Sequence, residues 1–182
     1  MADWLGAAFG LLCGRDPSHM WSPGGVPLPF CQRCTGFYAG AAVALVLHFA
    51  LRIRPGNRSL VAHGGFLLLM VPLGYHWVPQ NALVRALSGV LFGAGVVSFL
   101  WLFPGPRAGA DREPGPAESV IYAVGIIGTL ALVPVSAAWG GSGAWYALVC
   151  LATLGLAGLA ALVAANAGFG LRRLRSRRSG AA

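Results

Sequence analysis

The chain has 182 residues, of which 57% are hydrophobic and only 10% are charged, and its formal net charge is +8. A soluble domain of this length carries about a quarter charged residues, so the composition excludes a soluble enzyme, a disordered tail and a coiled coil. The basic residues are all arginine and lie in short blocks between apolar stretches, which favours anionic lipid headgroups over nucleic acid as their partner. The sequence therefore predicts a multi-pass integral protein of the cell membrane.

Five apolar stretches follow one another along the chain, and each approaches the length that a membrane-crossing helix needs. A bilayer core of about 30 Å requires about 20 apolar residues at about 1.5 Å per residue. The five stretches are residues 35–53, 60–78, 82–103, 119–139 and 144–169. Residues 4–12 are apolar but too few to span, and they predict a short N-terminal helix at the membrane interface. The predicted fold is an all-α membrane protein with five transmembrane helices.

The distribution of arginine predicts the orientation of these helices. Ten of the 13 arginines lie in the turn at 52–59, in the loop at 104–118 and in the tail, and arginine in short loops marks the cytoplasmic side. We therefore expect the N-terminus outside and the C-terminus inside. The chain then consists of an extracytoplasmic segment (1–34), a five-helix membrane domain (35–169) and an Arg-rich cytoplasmic tail (170–182).

Three of the four cysteines fall on the predicted outer face. Cys31 and Cys34 form a C-x-x-C pair at the start of the first span, and such a pair can bring two sulfurs to one tetrahedral metal site. With Cys13 the pair supplies three thiolates, and an imidazole from His19 or His76 would complete a four-coordinate site. Soft thiolate ligands favour zinc or copper, as Cu(I), over calcium or magnesium.

The same cysteines allow two other interpretations. In a membrane thiol–disulfide oxidoreductase, Cys31 or Cys34 would attack a substrate disulfide and Cys13 would resolve it, with Arg33 and the helix N-terminus lowering a thiol pKa. In a non-catalytic membrane subunit, the cysteines would form structural disulfides in an oxidising compartment. No nucleophile–base pair or phosphate-binding loop identifies an enzyme, so the residues leave the three alternatives open.

Several polar residues are predicted to surround the cysteines on the outer face. Asn81 and Arg85 are four residues apart and share one helix face, and an arginine just inside a span needs a partner. The predicted surrounding residues are Arg33, Gln80, Asn81 and Arg85. His48 and His63 fall toward the other side of the membrane and are interpreted as interfacial or packing residues. The expected partners are the lipid bilayer and other membrane subunits or a second copy of the chain.

Small residues predict a close contact between the first and third spans. Gly36-x-x-x-Gly40 and Gly89-x-x-x-Gly93 both lie near the outer ends of their helices. Glycines at this spacing let two helix backbones approach closely. Such packing would bring the C-x-x-C pair near Arg85.

Two stretches of the sequence resemble a known family signature. Cys13 is followed by L-P-F-C-Q-R-C-T-G-F-Y-A-G at 28–40, and Pro72 to Gln80 is followed by N-A-L-V-R-A-L-S-G at 81–89. This pattern is similar to that of the small prokaryotic membrane proteins grouped as domain of unknown function 2085. The resemblance extends to Phe103 and implies a membrane architecture and the position of a site, but no activity. Where the family has a Cys-His pair and an Asp-Gly pair, this chain has Cys-Gly at 13–14 and His-Trp at 76–77. We therefore expect His19 or His76 to replace a lost ligand.

Overall fold

The computed structural model describes residues 9, 13, 14, 16–75 and 77–179, with the backbone but not the side chains of 107, 108 and 174–179. Within these residues the prediction of an all-α protein is confirmed, because isolated β-bridges occur but no strand. The long helices are α1 (Gln32–Leu51), α2 (Asn57–Gly74), α3 (Ala82–Leu100), α4 (Pro116–Trp139) and α5 (Ser142–Ser179). Short 3-10 helices at Pro17–His19, Pro23–Gly25 and Gly105–Ala108 lie in the connections.

The first end of the bundle, termed the cysteine end, contains Cys13, Cys31 and Cys34. Here the start of α1 meets the end of α2, and the loop before α1 meets the turn between α4 and α5. The second contact is a hydrogen bond from the backbone N–H of Gly24 to the carbonyl oxygen of Gly140, at 3.2 Å. The N-terminal loop, the connection between α2 and α3 and the turn between α4 and α5 therefore share one end of the bundle.

The opposite end, termed the arginine end, contains the turn at 52–56 and the loop at 101–115. The backbone N–H of Arg54 donates to the carbonyl oxygen of Arg112 at 2.8 Å. The indole N–H of Trp101 donates to the carbonyl oxygen of Ile53 at 3.1 Å. The Arg-rich segments therefore meet at the end away from the cysteines, and α5 continues to Ser179 on this side.

Four described helices are long and apolar enough to cross a membrane: α1, α3, α4 and Ser142–Arg173 of α5. The prediction of a fifth crossing at residues 60–78 is wrong. Helix α2 begins earlier than predicted, so the polar Asn57 and Arg58 enter its first turn, and it ends at Gly74, two residues after Pro72. These polar residues lower the mean hydropathy of the 18-residue helix, so α2 is not among the helices apolar enough to cross.

Large aliphatic side chains are exposed on the outside of the bundle. Val61 and Leu68 of α2 are 77% and 71% exposed, and Leu132 of α4 is 66% exposed. A soluble protein rarely leaves contiguous apolar surface of this kind in water. Together with the four apolar helices, these faces show a protein built for a lipid environment.

The predicted close contact between the first and third spans is confirmed for α1 and α3. A Cβ atom built on Gly36 would lie 2.0 Å from the carbonyl oxygen of Ala86, and one on Gly89 would lie 2.1 Å from that of Arg33. No larger side chain fits at these distances unless the helices move apart. The glycines therefore fix the first turn of α1, where the C-x-x-C pair lies, against α3.

Candidate metal centre

The loop between Cys13 and α1 folds back on itself and brings Cys13 to the start of the helix. Met20 and Cys31 pair in an antiparallel bridge, and the backbone N–H of Leu28 donates to the carbonyl oxygen of Trp21 at 2.8 Å. The backbone N–H of Cys31 donates to Cys13 Sγ at 3.2 Å. These bonds hold the two cysteines side by side although 18 positions separate them.

An aromatic cluster holds this loop on α1. The ring of Phe9 lies 4.7 Å from that of Phe30 and 5.1 Å from that of Tyr38, and all three side chains are buried. Phe9 is the one described residue of the predicted interfacial helix at 4–12, whose other residues lie outside the described part of the chain. The cluster anchors Phe9 to the loop before α1 and to the first two turns of α1.

Three sulfur atoms meet at the first turn of α1. Cys31 is the N-cap residue and Cys34 is the third helical residue, so both side chains lie on the same turn. The Sγ atoms of Cys13, Cys31 and Cys34 lie within 4.8 Å of one another, and the three sulfurs are not joined by a disulfide. Sulfurs bound to one tetrahedral zinc ion, at Zn–S distances of about 2.3 Å, lie about 3.8 Å apart. A contraction of about 1 Å at most therefore brings all three sulfurs to one ion.

The surroundings of Cys31 disfavour a free thiolate. A hydrogen bond with Cys13 raises the pKa of the Cys31 thiol, and burial raises it further, while contacts with Cys34 lower it in part. Arg33, expected from the sequence to lower a thiol pKa, instead directs its guanidinium to the carbonyl oxygen of Leu73 and the side chain of Gln80. A bound metal ion would supply the positive charge that keeps such thiols deprotonated.

Of the two histidines predicted as ligands, the structure describes only His19. His19 Nδ1 lies 3.3 Å from Asp16 Oδ2, and His19 does not belong to the group of converging ligand atoms. Asp16 is held in turn by the backbone N–H of Ser18, which donates to its carboxylate at 2.9 Å. His76 lies outside the described residues. Among the described residues, the group therefore offers three protein ligands, all of them sulfur.

The predicted surrounding residues brace the first turn of α1. Arg33 Nη2 donates to the carbonyl oxygen of Leu73 at 3.0 Å and to Gln80 Oε1, and Gln80 Nε2 donates to the same carbonyl oxygen. Asn81 accepts a hydrogen bond from the backbone N–H of Val84 at 2.8 Å and so caps the start of α3. These contacts tie the starts of α1 and α3 to the end of α2.

Two further residues at this end were not predicted from the sequence. Gln32 is buried beside Cys31 and accepts a hydrogen bond from Arg85 Nη1 at 3.3 Å, which links α1 to α3. The hydroxyl of Tyr38 is buried and has no hydrogen-bond partner among the described residues. Tyr38 lies one helical turn after Cys34. The spacing of four residues could have indicated that the two side chains share one face of α1.

Comparison with known proteins identifies the part of the chain that carries this site. Residues 13–99, just under half of the chain, match the family model described as a predicted membrane protein, DUF2085. The matched segment contains all three clustered cysteines, the helices α1 and α2, and α3 except for its last residue. No curated protein and no solved structure shows significant similarity to the chain. Through residues 13–99, this membrane protein is therefore similar to the family of predicted membrane proteins DUF2085.

Proposed function

We propose that the protein binds one soft metal ion, zinc or Cu(I), through Cys13, Cys31 and Cys34. The proposal is carried by one observation, the convergence of three sulfurs that lie within 4.8 Å of one another. Thiolates select zinc and Cu(I) over the hard cations calcium and magnesium. Zinc would take a fourth ligand from His76, from a rearranged His19, or from a small molecule at an open coordination position.

The surroundings of the thiols support metal binding over thiol–disulfide exchange. A nucleophilic cysteine needs a lowered pKa and access for its substrate. Cys13 is buried, and the pKa of the Cys31 thiol is raised rather than lowered. Three converging thiols with these properties are better suited to hold an ion than to attack a disulfide.

We also propose that the cysteine end faces the outside of the cell and the arginine end the cytoplasm. The arginines of the turn at 52–56, the loop at 101–115 and the end of α5 lie together, and such clusters are retained on the cytoplasmic side. Reporter fusions at residue 182 and within 104–118 are expected to report a cytoplasmic location. A periplasmic signal from either fusion would reverse the orientation and place the cysteines inside.

Metal content tests the proposed site. Wild-type protein purified under reducing conditions is expected to retain about one zinc or copper ion per chain, since a thiolate site of this kind binds tightly. Cys34→Ser is expected to lose most of the metal. Cys150→Ser is the matched control, because Cys150 is free and exposed and lies outside the sulfur group. Elemental analysis of the three proteins provides the measurement.

Two results would contradict the site. Wild-type protein without metal would exclude a tightly held ion, and a disulfide between Cys31 and Cys34 in that protein would favour the oxidoreductase. Equal metal loss in Cys34→Ser and Cys150→Ser would show that the metal is not bound by the three-sulfur group.

A further inference from the structure

A second polar cluster lies near the arginine end, and it connects four helices. His48 Nε2 lies 3.1 Å from Ser98 Oγ, which lies 3.3 Å from the hydroxyl oxygen of Tyr122. The same hydroxyl oxygen lies 2.9 Å from His63 Nε2. Both histidines and Ser98 are buried. His48 and His63, interpreted from the sequence as interfacial or packing residues, are therefore two buried members of one hydrogen-bond network.

The backbone sets the direction of donation in this network. His63 Nδ1 lies 2.6 Å from the carbonyl oxygen of Ser59, which can only accept, so Nδ1 carries the hydrogen. In a neutral ring His63 Nε2 then accepts, and its donor is the hydroxyl of Tyr122. Tyr122 has one hydrogen, so Ser98 must donate to Tyr122. Ser98 also has one hydrogen, so His48 Nε2 must donate to Ser98.

This direction leaves His48 Nδ1 as an acceptor without a donor. Burial favours the neutral imidazole, and no carboxylate among the described residues contacts either ring. In a neutral ring that donates from Nε2, Nδ1 carries only a lone pair. His48 Nδ1 is buried and has no hydrogen-bond partner within the described part of the chain. A buried polar atom of this kind points to a ligand that brings a hydrogen-bond donor.

His48 lines a cavity of about 310 Å³ at the arginine end. Polar groups of Arg58 and Ser59 from α2 and of Ser119 and Tyr122 from α4 line the same cavity. The remaining wall is apolar and is formed by Ile53, Pro55 and Pro114. The cavity therefore combines a cation and hydroxyl groups with an unsatisfied ring nitrogen.

The guanidinium of Arg58 is available to an anion. Arg58 is exposed and forms no ion pair with a described residue. Of the acidic residues in the neighbouring segment, Glu118 is paired with Arg112 at 2.8 Å, and the carboxylate of Glu113 lies against Gly56. Neither carboxylate forms an ion pair with Arg58, so its guanidinium can bind an anion.

We propose that this cavity binds a phosphate group that retains a hydroxyl, from a phosphomonoester lipid or from inorganic phosphate. A negative phosphate oxygen accepts from Arg58, and the phosphate hydroxyl donates to His48 Nδ1, which is buried in the cavity wall and is reached when the side chains around it move on binding. Ser59 Oγ lies 3.2 Å from the protonated nitrogen of His63, so it keeps its own hydrogen for a second phosphate oxygen. A phosphodiester has no such hydroxyl and leaves Nδ1 unsatisfied. The site is distinct from the cysteines and does not depend on a metal there.

Histidine nitrogen NMR of the full chain tests this site. Protein labelled with ¹⁵N-histidine is placed in phosphatidylcholine nanodiscs, and the unprotonated Nδ1 signal is assigned by its loss in His48→Gln. Phosphatidic acid in the bilayer or added inorganic phosphate is expected to shift this signal in the direction of a protonated nitrogen. Phosphatidylglycerol, a phosphodiester of the same sign of charge, is expected to leave it unchanged. A response to phosphatidic acid alone assigns the site to a lipid, and a response to inorganic phosphate alone assigns it to the free anion.

Two arginine variants separate specific binding from surface charge. Arg58→Gln is expected to weaken binding of the effective phosphate compound about tenfold or more, because a charge-assisted hydrogen bond is lost. Arg54→Gln removes the same charge from an exposed residue outside the cavity and is expected to change binding less than about twofold. The proposal is overturned if neither phosphate compound shifts the signal, if phosphatidylglycerol acts equally, or if both variants bind equally weakly.

Discussion

Replacing Cys31 with serine is expected to remove the bound metal and to loosen the loop between Cys13 and α1. The serine hydroxyl is a poor ligand for a soft ion, and metal binding at such sites contributes directly to folding free energy. The backbone N–H of Leu28, which donates to Trp21 at 2.8 Å, reports on this loop. We expect its hydrogen exchange to accelerate at least about tenfold, which corresponds to about 1.4 kcal/mol of local stability.

A chelator separates loss of the metal from loss of the side chain. Chelation of the wild-type protein is expected to accelerate exchange at Leu28 as much as Cys31→Ser does. The variant itself is expected to show no further change with chelator. If Cys31→Ser accelerates exchange but chelation of the wild type does not, the thiol stabilises the loop by packing and not through an ion.

Gly89→Ala is expected to destabilise the bundle by separating α1 from α3. The added Cβ would lie 2.1 Å from the carbonyl oxygen of Arg33, and a backbone oxygen cannot turn away as a flexible side chain can. Overpacking of this kind costs about 2 kcal/mol. The change is measured as a lower midpoint of thermal unfolding in detergent micelles, followed by near-ultraviolet circular dichroism. Metal affinity is expected to fall as well, because the first turn of α1 carries two of the three sulfurs.

Gly128→Ala provides the matched control for this substitution. Gly128 also lies inside an apolar helix, but a Cβ there meets no atom within 4 Å. Both substitutions gain the same intrinsic helix propensity, so the difference between them isolates the contact between α1 and α3. Equal unfolding midpoints for the two variants would show that this contact contributes little to stability.

The sequence was sufficient to predict the helices that depend on length and apolar composition. The predicted span at 82–103 corresponds to α3, and that at 119–139 corresponds to α4, because these properties are local to each segment. The crossing predicted at 60–78 failed because helix boundaries depend on turns and caps as well as on apolarity. Because α2 begins at Asn57 and ends at Gly74, it includes polar residues before the predicted start. It leaves out the residues predicted at the other end, 75–78.

The two candidate sites were predictable to different degrees, because one depends on local spacing in the sequence and the other on how distant helices pack. Cys31 and Cys34 lie in one helical turn, so their spacing already placed two sulfurs together. The network of His48 and His63 joins residues that are 50 and 59 positions apart in sequence. Its contacts depend on which faces of four helices meet, and apolar helices with no polar stripe do not specify those faces.

X-ray absorption spectroscopy at the edge of the bound metal tests the three-sulfur site most directly. For the zinc-loaded protein we expect three sulfur neighbours at about 2.3 Å, with one lighter ligand completing the shell. Cys13→Ser is expected to reduce the count to two sulfurs, and Cys150→Ser is expected to leave it at three. A spectrum with only nitrogen and oxygen neighbours, or a sulfur count unchanged by Cys13→Ser, would contradict metal binding by these cysteines.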